Sequence, residues 1–274
     1  MATINTNAGA MVALQNLNST NRDIAQVQGR IATGLAVASA KDNGGIFAVA
    51  QKMRADVQGF EVVGRSLDLA TSSVDVALAG GEAISDLLIE MKEVALAASD
   101  SSLDSASRSA LNEDFKAMRN QITTIVDNAQ FNGTNLVNNS VTSISALANA
   151  AGTSTISIVD ENLSLGGGVV TLAATASFAT AGAAATLAGT ISTSLNNLSS
   201  SLARLGTASK SLQIHKDFVG KLGDALTKGI GNLVDADLAK ESAKLQSLQV
   251  KQQLGVQALS IANSAPSSIL GYFR

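Results

Sequence analysis

The sequence contains no cysteine and no tryptophan, and only one proline, one histidine and one tyrosine, in 274 residues. Lack of cysteine excludes a disulfide framework, a zinc–thiolate or iron–sulfur site and a thiol nucleophile. With His215 alone, a multi-histidine metal site is excluded and any catalytic triad would rest on that residue. No nucleophile–base constellation or phosphate loop stands out, so neither an enzyme nor a cofactor is expected. Aromatic residues make up 3%, whereas 46% of the chain is hydrophobic, chiefly Ala, Leu, Val and Ile. That mixture suits helices packed at close range better than a thick globular core.

Charge is scarce in particular places. The net charge of −3 argues against a nucleic-acid partner, which calls for a basic stripe. No charged side chain occurs from Met1 to Asn21 or from Gln252 to Phe273, and only Asp160 and Glu161 lie between Asn128 and Ala203. Neither end reads as a membrane span, which needs about 20 mostly apolar residues. The first holds Asn5, Asn7, Gln15, Asn16, Asn18 and Asn21, and the last holds Gln252, Gln253, Gln257, Asn263 and Pro266. The N-terminus has no basic region leading into an apolar stretch, so no cleavable signal peptide is expected.

What the chain does have is heptads. Ala10, Leu17, Ile24 and Ile31 repeat at seven, with Ala13, Thr20 and Val27 beside them, up to Gly34. A second seam joins Phe60, Leu67, Val74, Gly81, Leu88 and Ala95 to Val63, Ala70, Ala77, Ile84, Met91 and Ala98. Asp100, Ser101 and Ser102 interrupt it with side chains that cap helices. A third helix sets Leu111, Phe115, Met118, Ile122, Ile125 and Ala129 on one face. The fourth runs through Ile191, Leu198, Leu205, Leu212, Val219, Leu226 and Leu233, a seam of roughly 65 Å at 1.5 Å per residue. The fifth, from about Asp235, uses Leu238, Leu245, Leu248, Val256, Leu259 and Ala262, with Val250, Leu254 and Ile261 on its other side. A helix apolar nearly all round needs cover on all sides. One chain offers too little, so neighbouring copies are expected to supply it. The expected fold is mainly α: an elongated antiparallel helical bundle or coiled coil, with the N- and C-terminal helices paired.

Between Asn132 and Ala181 the register fails. Thr153 to Val159 alternates and is β-branched, Gly166-Gly167-Gly168 signals a turn, and Val169 to Leu172 alternates again. A small β-hairpin region is expected there.

Several stretches resemble bacterial flagellin, the subunit of the motility filament. Ile4-Asn5-Thr6-Asn7 followed by Leu14-Gln15-Asn16-Leu17 is similar to the family's opening. Arg30-Ile31-Ala32-Thr33-Gly34-Leu35 and Ser39-Ala40-Lys41-Asp42-Asn43 are close to its R-L-S-S-G-L and S-A-K-D-D runs, and Phe131-Asn132-Gly133 matches its F-N-G. Near the C-terminus, Asp235-Ala236-Asp237-Leu238-Ala239-Lys240-Glu241 and Gln257-Ala258-Leu259-Ser260-Ile261-Ala262-Asn263 with Pro266 resemble the closing signature. Gly44-Gly45 and the Tyr272-Phe273-Arg274 ending depart from the common pattern. The style resembles short alphaproteobacterial flagellins, and the middle of the chain matches nothing in particular.

The resemblance implies an extracellular filament subunit for swimming motility, secreted through the flagellar type III export apparatus. It implies four parts. Residues 1–34 and 235–274 form a terminal coiled-coil layer lining the filament channel, and 35–45 a connecting spoke. Residues 46–131 and 182–234 form a long-helix bundle, and 132–181 a variable β-hairpin and outer surface. The polymerisation interface is expected at Ala10, Leu17, Ile24, Ile31, Leu238, Leu245, Leu248, Leu259 and Ala262. Implied partners are further copies of the chain, hook-associated and cap proteins and an export chaperone, with no nucleic acid and no membrane insertion. Short terminal helices are marginal in water, so assembly is expected to couple folding to association. Glu90 stands where receptor-activating flagellins carry an Arg in Q-R-V-R-E-L, which implies weak activation of the vertebrate innate receptor. Ser140, Thr142, Thr153, Ser154, Thr175, Ser177 and Thr180 are candidate O-glycan acceptors, or they simply solvate an outer surface.

Other features carry less. His215 reads as a partly exposed helix residue, with a pH-sensitive contact as the functional alternative. Lys41 and Asp42 form either a structural ion pair or an ordinary solvated one. Gly80-Gly81 permits close helix approach, a local bend or a bistable packing. A hook–filament junction protein shares the terminal design and is the nearest alternative. A chemoreceptor-like helical signalling hairpin is the alternative of another class, although it would place a helical tip at mid-chain.

Overall fold

The computed structural model describes residues 6–270. The expected features at Ile4, Asn5 and Tyr272-Phe273-Arg274 lie outside them. The described residues form five helices and two small antiparallel sheets. In chain order these are α1 (Ala8–Thr33), α2 (Gly44–Ala98), α3 (Ser105–Asn128), β1 (Gln130–Phe131), β2 (Thr134–Asn135), β3 (Ser143–Leu147), β4 (Thr155–Val159), α4 (Ala181–Val234) and α5 (Leu238–Leu270). The fold is mainly α, as the heptad spacing predicts.

The helix ends follow local chemistry. Asn7 caps α1, its side-chain oxygen accepting from the Ala10 amide at 3.0 Å, and Gly34 ends the helix at φ 72°. Asp104 caps α3 and Asp237 caps α5 in the same way, each accepting from amides of the first turn. Asp237 explains why α5 begins at Leu238 instead of Asp235: the carboxylate is spent on the cap.

The chain divides into two compact units. One runs through Ala55 and resumes at Ala225, and the other is Asp56–Asp224. The division falls inside α2 and α4, both of which are continuous helices.

In the Asp56–Asp224 unit the α2 seam is buried from Val63 to Ala98, and Phe60 is partly covered. It packs with Ile191, Leu198, Leu205, Leu212 and Val219 of α4 and with Phe115, Ile122 and Val126 of α3. Each large side chain so buried contributes about 1.5–3 kcal/mol. Phe115 also meets Phe178 edge-on, with centroids 5.3 Å apart. Gly81 makes room for a leucine of α4: a Cβ there would lie 2.6 Å from Leu202 Cδ2. Helix α2 runs through Gly80-Gly81 unbroken, so the pair serves close approach.

The α4 seam ends differently from the heptad expectation. Leu233 is exposed, while Val234 is buried in a small cluster of the other unit with Val37 and Ala50. The heptad positions stay buried from Ile191 to Val219, so the change at Leu233 marks a change of partner: Val234 packs with Val37 and Ala50 in a separate cluster.

The β region contains one expected strand and one that sequence alternation misplaces. β4 is found at Thr155–Val159, but its partner is β3, in the register Ser143↔Val159 to Leu147↔Thr155. Val169 to Leu172 forms no strand. Val170 and Leu172 still point alternately into the core, and the Thr171 amide donates to Ser194 Oγ of α4 instead of to a ladder. β1 and β2 form a second hairpin around Asn132 (φ 48°) and Gly133 (φ 78°), a two-residue turn whose left-handed pair favours Asn-Gly.

Candidate self-assembly surface

Helices α1 and α5 lie antiparallel and share a seam. From one end to the other, Asn7 Nδ2 donates to the Ala262 carbonyl (2.6 Å), Leu17 lies against Gly255, and Gln252 Nε2 donates to Asn21 Oδ1 (2.7 Å). Ile24, Val27 and Leu248 then form a small core flanked by Ile31 and Leu245. Beyond it Arg30 Nη1 donates to Glu241 Oε1 at 3.1 Å. Leu35 and Asp235 close the pair with an isolated antiparallel bridge, and the Ala236 amide donates to the Gly34 carbonyl (2.8 Å).

Most of the residues expected at the polymerisation interface lie at least half-covered within the chain itself. Ala10, Leu17, Ile24, Ile31, Leu245, Leu248, Leu259 and Ala262 are buried or half-buried, whereas Leu238 is exposed. The large apolar side chains left uncovered are different ones. Met11, Val12 and Leu14 on α1, and Val250, Leu254, Val256 and Ile261 on α5, are all exposed, Ile261 at 70%. Among the described residues nothing covers these side chains, which leaves an unpartnered apolar surface. Burying each would contribute on the order of 1.5–3 kcal/mol.

The segment between α1 and α2 is held by main-chain contacts. The Ala36 and Val37 amides both donate to the Val234 carbonyl. Asp42 makes no ion pair with Lys41. Its carboxylate accepts from the Ser39 hydroxyl and amide and the Ala38 amide, and the Ser39 contacts hold it below the usual carboxylate range.

Several residues in the Asp56–Asp224 unit have structural roles that sequence reading misses. His215 Nε2 lies 2.8 Å from the Ala148 carbonyl, which can only accept, so Nε2 carries the proton. Arg108 donates to the carbonyls of Ala98, Asp100 and Leu103 and so closes the turn between α2 and α3. Arg119 Nη1 and Asn112 Oδ1 of α3 hold the Ala176 carbonyl and the Phe178 amide. No spacing rule points to these contacts, because each joins a helix to an irregular segment. Asp160, at the end of β4, is pushed above the usual carboxylate range mainly by burial. Glu161 beside it is gripped by both Arg204 Nε and Nη2.

Glu90 is exposed on α2, with Lys92 and Glu93 exposed one side of buried Met91. All seven candidate glycan acceptors are exposed. Three hold internal hydrogen bonds: Ser140 Oγ donates to the Asn135 carbonyl, Thr153 Oγ1 accepts from Asn149, and Thr180 Oγ1 accepts from the Ala183 amide. Among the described residues no group of three acidic or histidine side chains could hold a metal ion. Nor is any described helix long and apolar enough to cross a membrane.

Comparison with known proteins bears on the whole chain. Residues 4–142 match the family model for the bacterial flagellin N-terminal helical region, and residues 188–273 that for the C-terminal helical region. The chain is 56% identical over 271 residues to flagellin FljM of Caulobacter vibrioides, covering 99% of this chain and 98% of that one. It is 35% identical to a flagellin of Brucella melitensis across the full length of both. The crystal structure of Bacillus cereus flagellin aligns with 66% of this chain and 94% of its own, at a TM-score of 0.38 and 19% identity.

Proposed function

This chain belongs to the bacterial flagellin family, and from that premise we propose that its α1–α5 pair is the self-assembly element of the subunit. The protein is a structural subunit that polymerises with its own copies into the extracellular flagellar filament. The observation that carries the proposal is the apolar surface at Met11, Val12, Leu14, Val250, Leu254, Val256 and Ile261, left open after α1 and α5 have covered each other. Neighbouring copies cover it in the filament.

The charge-free ends fit this reading. An unpaired charge buried among identical neighbours would cost several kcal/mol. On the same reading residues 1–34 and 235–274 form the inner layer. Residues 35–45 are the spoke, 46–131 and 182–234 the bundle layer, and 132–181 the outward surface. The seam residues from Ala10 to Ile31 and from Leu245 to Ala262 act by building the pair, and Leu238 acts with the open face. The two-helix seam is thin, so assembly completes its ordering.

The finer roles follow the family. The subunit is secreted through the type III export apparatus with a chaperone, meets hook-associated and cap proteins, and catalyses nothing. Glu90 weakens the vertebrate receptor contact, and the exposed Ser and Thr of 140–180 accept O-glycans. The deciding experiment is seeded polymerisation of Leu254→Asp and Ile261→Asp, followed by electron microscopy. Filaments of normal length from either variant would refute the assignment of the open face.

A further inference from the structure

The open face of α1 includes one side chain with chemistry of its own. Met11 is 64% exposed, between exposed Val12 and half-buried Ala10. The other described methionines are better protected: Met91 is fully buried in the bundle core, and Met53 and Met118 are partly covered. Thioether oxidation follows exposure, so a dissolved oxidant reaches Met11 first among them. Its surroundings on α1 are uncharged, with the first ionisable side chain of the helix only at Arg22.

We propose that Met11 is an oxidative modification site that controls entry of the subunit into the filament. The inference rests on the reading that copies bury the open face of α1. A peroxide transfers one oxygen atom to a sulfur lone pair. The S–O bond forms as the O–O bond breaks, sulfur loses two electrons, and hydrogen peroxide leaves as water. The flexible apolar side chain becomes a polar sulfoxide, and burying that dipole without a hydrogen-bond partner is penalised. Oxidised subunits are therefore excluded from growing ends, while subunits already in the filament are shielded. Sulfoxide reductases of both epimer specificities, driven by a thiol reductant, restore the thioether and readmit the subunit.

The test uses the full chain as wild type, Met11→Leu and Val12→Gln, each elongated from seeds before and after hydrogen peroxide, with oxidation mapped by peptide mass spectrometry. Wild type converted at Met11 is expected to elongate about tenfold more slowly and to recover after treatment with both reductases and dithiothreitol. Each protein is compared with its own untreated rate, and Met11→Leu is expected to keep its own rate after peroxide. Oxidised wild type that elongates at the untreated rate, or Met11→Leu that is as peroxide-sensitive as wild type, overturns the proposal. Val12→Gln separates the two layers of argument, since it makes the same face polar without oxidation. If Val12→Gln blocks elongation and oxidised Met11 does not, the modification site fails alone; if both elongate normally, the reading of the open face fails with it.

Discussion

Arg30 and Glu241, 211 positions apart in sequence, meet across α1 and α5 with Nη1 and Oε1 separated by 3.1 Å. They belong to two of the stretches that resemble the family's motifs, Arg30-Ile31-Ala32-Thr33-Gly34-Leu35 and Asp235-Ala236-Asp237-Leu238-Ala239-Lys240-Glu241. Both side chains are mostly covered, and Arg30 Nε and Glu241 Oε2 have no hydrogen-bond partner among the described residues. The pair therefore acts as a register pin whose value depends on both members being present. Glu241→Ala is expected to weaken the α1–α5 pair by about 1–2 kcal/mol, between the exposed and buried limits for ion pairs. Arg30→Ala/Glu241→Ala should cost less than the sum of the single changes. Amide exchange of α1 measures both; strictly additive losses would show that the two groups are uncoupled.

Phe115 anchors α3 and, through Phe178, the irregular segment before α4. Phe115→Ala is expected to destabilise the Asp56–Asp224 unit by about 3–5 kcal/mol. The readout is a lowered midpoint in urea followed by circular dichroism.

Asp160 offers a pH-dependent case with a definite sign. Burial raises its folded-state pKa, so at neutral pH the charged form opposes folding, and this penalty is relieved as pH falls through the raised value. Asp160→Asn is expected to raise the melting temperature at pH 7, with the advantage closing as the pH is lowered into the carboxylate range. Asp104 behaves in the opposite way. Its pKa is lowered by its bonds to Ser107, so its stabilisation is full above the ordinary value of 3.8 and is lost as pH falls through the depressed one. Asp104→Asn should therefore lose stability at pH 7 and converge with the parent in strong acid.

Glu90 is exposed on α2, and on the reading proposed above it stands where an Arg would meet the innate receptor. Glu90→Arg is expected to raise potency in a receptor reporter assay by about tenfold or more, since a charge reversal at a contact costs kcal/mol amounts. Equal potency of the two proteins would remove this position from the contact.

Sequence periodicity identified the helices because long seams leave a pattern that no local effect erases. The α2 seam from Val63 to Ala98 is buried at the expected positions. The same reasoning fails at Leu233, because the helix changes partners there and Val234 packs with Val37 and Ala50 in a separate cluster. It also failed at β3: Ser143-Ile144-Ser145-Ala146-Leu147 alternates only weakly, and its small residues carry little hydrophobic contrast. The α1–α5 seam was legible as two heptad sets, but the pairing of Arg30 with Glu241 needs the antiparallel register. The open face was legible on α5, through Val250, Leu254 and Ile261. On α1 it was hidden, because Met11, Val12 and Leu14 fall between the heptad positions.

The bridge between Leu35 and Asp235 and the bond from Asn7 to Ala262 have a consequence for the order of events in synthesis. The first helix made must wait for the last, and closing so large a loop is entropically slow. A chain halted anywhere before α5 carries an α1 that cannot find its mate, however well the Asp56–Asp224 unit has folded. Completion of translation is thus read out as geometry: an unfinished polypeptide lacks a matched pair of ends to add to a filament.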